Sequence, residues 1–204
     1  MKLYYSPGTC SLAAHIVAHE IGIPLDLVKV DLAQKRTQSG DDFTAINPKG
    51  YVPALMIDGG KVLSENPAIL QYLAAQSSQH DLVPAIGGLP YYRHLEWLGF
   101  INSEVHKTFS PLWHPELPVE IRDAVRVKLL QRLALINQHL ATHRYLLGDH
   151  YSLVDAYCFT VVNWSNYLQI DLSPYPHLQR YQHEIAARSA VQRAMSAEGL
   201  VKAA

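Results

Sequence analysis

The hydrophobic pattern of the chain changes character once, near its first third. Lys2-Leu-Tyr-Tyr5 is a short aromatic and apolar run of strand type, and Ser6-Pro7-Gly8 after it is a turn signal. Leu12/Ile16 and Ala13/Val17 then recur at i, i+4, which predicts a helix that Gly22 and Pro24 bring to an end. Leu25 to Asp31 predicts a second strand, and Asp41 to Ile46 a weak helical turn. Ala54 to Ile57 and Lys61 to Leu63, joined by Asp58-Gly59-Gly60, carry a hairpin signal. Ile69, Leu70, Tyr72 and Leu73 mark a helix from about Glu65 to Ala75, with Pro67 in its first turn. The order β-α-β-α-β-β-α is that of an α/β unit closed by a hairpin.

Beyond it the stretch SSQHDLVPAIGGLP is rich in proline and glycine and reads as a linker. From residue 91 the pattern is helical. Leu98, Ile101 and Val105 share one face of a first long helix that ends near Ser110-Pro111. Val125, Leu129, Leu133, Ile136 and Leu140 form an amphipathic stripe. Ser152-x-x-Asp155 is a capping box, and Ala156 to Trp164 behind it is apolar nearly all round, which predicts a central buried helix. Further helices are expected over 177–187 and Ala190–Leu200. The expected division is an α/β domain over 1–77, a linker over 78–90 and an all-α domain over 91–204.

Composition narrows the function classes. With 17 Lys+Arg against 18 Asp+Glu and no basic run, nucleic acid and anionic membranes are not expected partners. No segment approaches the ~20 apolar residues of a membrane span, and no secretory signal is visible. The two cysteines, Cys10 and Cys158, exclude a disulfide scaffold, so a reducing, cytoplasmic compartment is expected.

Cys10 is the first candidate for chemistry. At the start of a helix, free N–H groups and the positive dipole end stabilise a thiolate, so a lowered pKa is expected. The bland alternative is a small buried residue at a strand–helix junction. No C-x-x-C partner follows, so the thiol would have to pair with a second molecule. Ser64-Glu65-Asn66-Pro67 opens a helix after a strand. It serves either as ordinary capping or as a seat for a ligand carboxylate, with Glu65 taking an ammonium. His15/His19 and His139/His143 have i, i+4 metal-ligand spacing, but no carboxylate or cysteine cluster joins them, so no metal is expected. Cys158 reads as inert core.

Taken together, Y-S-P-G-T-C-S at 5–11, N-P-K-G-Y-V-P-A-L at 47–55, S-E-N-P-A-I-L-Q-Y-L at 64–73, His106-Lys107 and the box at 148–156 resemble the glutathione S-transferases. Cysteine at position 10 makes the chain similar to the bacterial beta class. The resemblance implies a thioredoxin-like N-terminal domain, an all-α C-terminal domain and a homodimer. Glutathione is the implied co-substrate, in this class also as a mixed disulfide with Cys10, with no tightly bound cofactor. Pro53 would be cis, with the Val52 backbone pairing with the cysteinyl unit. Glu65 and Asn66 would hold the γ-glutamyl end, and Lys35 the glycyl carboxylate. Ser103 and Glu104 would complete the site, while His106 and Lys107 would help hold negative charge on sulfur. Gly99 stands where the family often has asparagine, and Asn66 where glycine or serine is common.

Tyr5, Phe109 and Trp113 are candidates for the wall that receives an apolar electrophile, with core packing the alternative, as it is for Trp164. Three functions follow as expectations: conjugation of glutathione to apolar electrophiles with Cys10 and His106 as the catalytic pair, glutathione-dependent thiol–disulfide exchange through Cys10, and non-catalytic carriage of apolar ligands.

Overall fold

The computed structural model describes residues 1–77 and 82–201. Residues 78–81, the start of the expected linker, lie outside the described residues. The described chain divides into two compact units. One contains the first stretch together with the chain from Arg188 onward, and the other is Leu82–Ala187.

The first unit is built on a five-stranded mixed sheet in the order β3-β2-β1-β4-β5. Its strands are β1 (Lys2–Tyr5), β2 (Asp26–Asp31), β3 (Arg36–Thr37), β4 (Ala54–Met56) and β5 (Val62–Ser64). β1 and β2 run parallel because the helix α1 (Ser11–Glu20) returns the chain between them. β4 pairs antiparallel with both β1 and β5. Tyr4, Val30, Phe43, Val52 and Ala54 form one packed cluster of this unit, with Phe43 supplied by the short helix α2 (Phe43–Ile46). α3 (Asn66–Ala74) closes the α/β part. β3 goes beyond the expected order, being too short to leave a periodic signal.

α1 was expected from the recurrence of Leu12/Ile16 and Ala13/Val17, and in the fold all eight residues from Ser11 to Ala18 are buried. α3 and the last helix, α10 (Ser189–Ala197), both pack on it, and together they account for burial all round. This corrects the expectation that 91–204 forms one domain: α10 belongs to the first unit. The connection is held by Arg188, whose guanidinium binds both oxygens of Glu20 at 2.7 and 3.0 Å.

The second unit is all-helical. α4 (Leu89–Phe100) begins within the expected linker, with Pro90 in its first turn, where a missing N–H costs nothing. The expected single long helix is interrupted. Ile101–His106 is a π-helical turn, followed by α5 (Lys107–Phe109) and a 3₁₀ turn over Ser110–Trp113. α6 (Val119–Leu140) buries Leu129, Leu133, Ile136 and Leu140 of its stripe and leaves Val125 partly exposed. α7 (Leu153–Val162) is buried at every residue and is followed by α8 (Trp164–Tyr167) and α9 (Pro176–Ala186). Asp155 anchors α7 by accepting from Leu146 N, Ser152 N, the Ser152 hydroxyl and the Tyr181 hydroxyl at 2.7–3.0 Å. Burial pushes its carboxyl upward against these donors.

Candidate active site

Cys10 lies at the turn from β1 into α1. The turn is held internally: the Thr9 hydroxyl donates to Ser6 O at 2.8 Å and meets the Ser11 hydroxyl at 2.8 Å. It is also held from α10, because Gly8 N–H donates to Glu198 Oε2 at 2.9 Å. The other Glu198 oxygen meets His15 Nδ1 at 3.1 Å, in a pair almost wholly out of solvent. Gly8 has φ +71, the left-handed region that glycine enters without a Cβ penalty. Half-buried, Cys10 directs Sγ to Val52 O at 3.3 Å, a contact in which the protonated thiol is the donor.

Val52 is buried on the segment entering β4, and the Val52–Pro53 peptide is cis. Asn66, at the first turn of α3, reaches back to donate Nδ2 to Cys10 O at 2.9 Å. Its Oδ1 is buried with no hydrogen-bond partner among the described residues. Glu65 sits before it with φ +73, a costly conformation for a side-chain-bearing residue and one found mainly where function requires it. Its Oε1 accepts from Lys49 Nζ at 2.6 Å and Tyr51 Oη at 2.7 Å. Those bonds hold the Lys49 ammonium and the Tyr51 phenol above their ordinary values. Lys35 donates to Gly50 O at 2.8 Å and keeps donor capacity for a ligand. The structure thus brings Cys10, Val52 and Asn66 together, with Glu65 at the first helical end of α3 and Lys35 anchored to the 50–52 segment.

In the second unit His106 closes the π-helical turn. Its Nδ1 meets the Tyr157 hydroxyl at 2.8 Å, and its ring stands edge-on to Trp164 at 5.0 Å. Phe109 and Trp113 also meet Trp164 edge-to-face, at 5.7 and 6.1 Å. Trp164 and Phe109 are buried, whereas Trp113 is 45% exposed. Of the three expected wall residues, Trp113 is therefore the one left available. Phe109 is committed to packing, and Tyr5 is buried near His15 with its phenol pushed up by burial and by Glu198. Ser103 donates to Gly99 O at 2.9 Å, Glu104 is paired with Arg132 at 2.9 Å, and Lys107 is exposed. A Cβ at Gly99 would meet nothing within 4 Å, so packing does not impose the glycine.

The two histidine pairs are stacked rings, at 4.9 Å for His15/His19 and 4.3 Å for His139/His143. His15 serves Glu198, while His139 Nε2 meets Leu146 O at 3.0 Å. No group of three or more His, Cys, Asp or Glu suited to a metal occurs among the described residues. Burial raises the Cys158 thiol far above its ordinary value, so it stays protonated and unreactive.

Several participants were not singled out from sequence. Lys49 and Tyr51 lie inside the 47–55 segment, where their spacing to Glu65 gives no hint of contact. Tyr157, the partner of His106, sits in an apolar helical context, Asn102 meets it only through the fold by accepting from its hydroxyl, and Glu198 is far along the chain from Gly8.

A thioredoxin-like sheet with a cysteine at its first helix, joined to an all-helical unit, defines a thiol-handling protein of two-domain type. The chain belongs to the glutathione S-transferase family. The family's N-terminal domain matches residues 8–76 and its C-terminal domain residues 100–189. It is 42% identical over 200 residues to glutathione S-transferase GstA of Escherichia coli O157:H7, spanning 98% of this chain and 100% of that one. Among solved structures, the ternary complex of BphK, a bacterial GST, superposes with TM-score 0.96 at 50% identity, covering 98% of this chain and 100% of that one. A beta class glutathione S-transferase from Sphingomonas chungbukensis gives 0.95 at 43% identity, with 98% and 100% covered.

Proposed function

We propose that this protein is a glutathione transferase that joins the glutathione thiolate to small apolar electrophiles. The observation that carries the reading is the convergence on Cys10: its Sγ lies 3.3 Å from Val52 O, and Asn66 holds its carbonyl at 2.9 Å. A cysteinyl unit lying along Val52 as an added strand would bring its sulfur to Cys10, since β-augmentation uses backbone groups for affinity. The open acceptor of Asn66 and the carboxylate of Glu65 suit the ammonium of the γ-glutamyl end. Lys35 suits the glycyl carboxylate. Ser103 and Glu104 complete the binding set in this reading, and His106 and Lys107 support the charge on sulfur.

The reacting nucleophile is then glutathione's own thiolate, and proximity to an acceptor resting on Trp113 supplies the rate. Selection among acceptors should be loose, because an apolar wall discriminates by only ~1–3 kcal/mol per methylene. Homodimerisation and a cytoplasmic setting belong to the same proposal, the first read by sedimentation. No helix among the described residues is long and apolar enough to cross a membrane.

Thiol–disulfide exchange is the second reading, favoured by the half-buried Cys10 thiol with no second reactive cysteine among the described residues. It uses Cys10 as the nucleophile, with glutathione resolving the mixed disulfide. Initial rates of Cys10→Ala on an aromatic halide and on a small disulfide separate the two. The expected result is conjugation within about tenfold of the parent, since the nucleophile is retained, and exchange lost. Conjugation lost together with exchange would place the reacting sulfur on Cys10 and overturn the first reading. No turnover on either substrate, with saturable ligand binding, would leave only a carrier.

A further inference from the structure

His106 is held by a relay whose direction can be read from its chemistry. Tyr157 Oη donates its one hydrogen to Asn102 Oδ1 at 3.0 Å. A carboxamide oxygen only accepts, so that hydrogen is committed. The same hydroxyl oxygen lies 2.8 Å from His106 Nδ1 and can take part there only as acceptor. The hydrogen between them therefore belongs to Nδ1.

We propose that Tyr157 and Asn102 are positioning residues that hold His106 in its Nδ1–H tautomer, so that the nitrogen it offers to the reaction is the bare Nε2. The backbone supports this wiring. Asn102 and His106 lie four apart inside the π-helical turn Ile101–His106. A turn closed i→i+5 is wider than the ~3.6 residues of an α-helix, so side chains four apart fall closer to one line. Both then reach a single hydroxyl on α7. Tyr157 is fully buried, so its hydroxyl has no bulk water as an alternative partner. The indole of Trp164, edge-on to the imidazole at 5.0 Å, limits rotation of the ring.

The inference rests on the proposed role of His106 in glutathione activation. In that setting Nε2 takes the thiol proton: the S–H bond breaks, an N–H bond forms and the electron pair stays on sulfur. The resulting imidazolium keeps Nδ1–H on Tyr157 and turns Nε2–H toward the thiolate as a donor. The reverse tautomer would start with its proton already on Nε2 and could not accept another there.

Imidazole ¹⁵N NMR of the full-length protein tests this, with the His106 signals identified by their loss in His106→Gln. A hydrogen-bearing Nδ1 and a lone-pair Nε2 in the neutral ring are expected. Asn102→Leu should move the tautomer balance toward Nε2–H, because the Tyr157 hydroxyl is then released to donate to Nδ1. Tyr157→Phe should abolish the preference and lower kcat about tenfold with little change in the KM for glutathione, short of the ~10²-fold loss of a missing general base. Nε2–H in the parent protein, or a balance unmoved in Asn102→Leu, would overturn the proposal. Should Tyr157→Phe fail to fold, the parent spectrum and Asn102→Leu still decide. The NMR result stands apart from activity: an Nδ1–H tautomer in a protein that conjugates nothing would sink the functional reading and leave the wiring intact.

Discussion

Single residues carry the chemistry, and their burial sets what each can do. Cys10 is half-buried and Cys158 is wholly buried, although neither is tied into a disulfide. His94 shows how burial alone creates a pH response. It is fully buried, and neither ring nitrogen has a hydrogen-bond partner among the described residues. Burial pushes its imidazole from 6.5 down to about 4. The folded protein thus keeps His94 neutral where the unfolded chain would bind a proton. Its contribution is whole above pH 6.5, declines as pH falls toward 4, and is lost below that, an effect of about 3 kcal/mol. The His94 ring stacks on Tyr91 with centroids 6.2 Å apart, so His94→Phe, which can retain that stack, should have a flatter stability profile over that window. Urea midpoints at a series of pH values check this, and parallel profiles for parent and variant would contradict it.

At the scale of elements, the device that matters is the clamp between α10 and the turn bearing Cys10. Glu198, the residue that caps the end of α10, binds both His15 and Gly8, and its side chain is wholly buried. Removing it leaves the Gly8 N–H and the His15 ring without their Glu198 partner, and a buried polar group left unsatisfied typically costs about 1–3 kcal/mol. Glu198→Ala should therefore lower the urea midpoint strongly and also loosen the turn that presents Cys10. Equal stability in parent and variant would show that the clamp contributes little. The interrupted helix at 101–106 is the other device of this scale, since it brings Asn102 and His106 onto one hydroxyl.

For the whole molecule, the pattern of the sequence reveals which residues are buried more readily than what buries them. The α/β order, the hairpin and the α6 stripe were legible because each is a local period. Cys10 and the start of α3 were legible because helix starts have local signatures. The placement of α10 was not, since the helical pattern of Ala190 to Leu200 announces a helix without naming its neighbour. The π-helical turn was hidden because Leu98, Ile101 and Val105 are spaced as on an ordinary α-helix. Tyr157 was hidden in a segment apolar on nearly every side, where one hydroxyl does not alter the period. The polar partners of the site, Lys49, Tyr51, Asn102 and Glu198, are products of tertiary contact and leave no spacing to read.

The central claim is that the glutathione sulfur comes to rest against Cys10. Intact mass of the protein after incubation with glutathione disulfide, before and after reductant, tests it most directly. One added glutathione that reductant removes, and that Cys10→Ala never acquires, is the predicted result. An adduct that survives in Cys10→Ala, or no adduct on the parent protein, would contradict it.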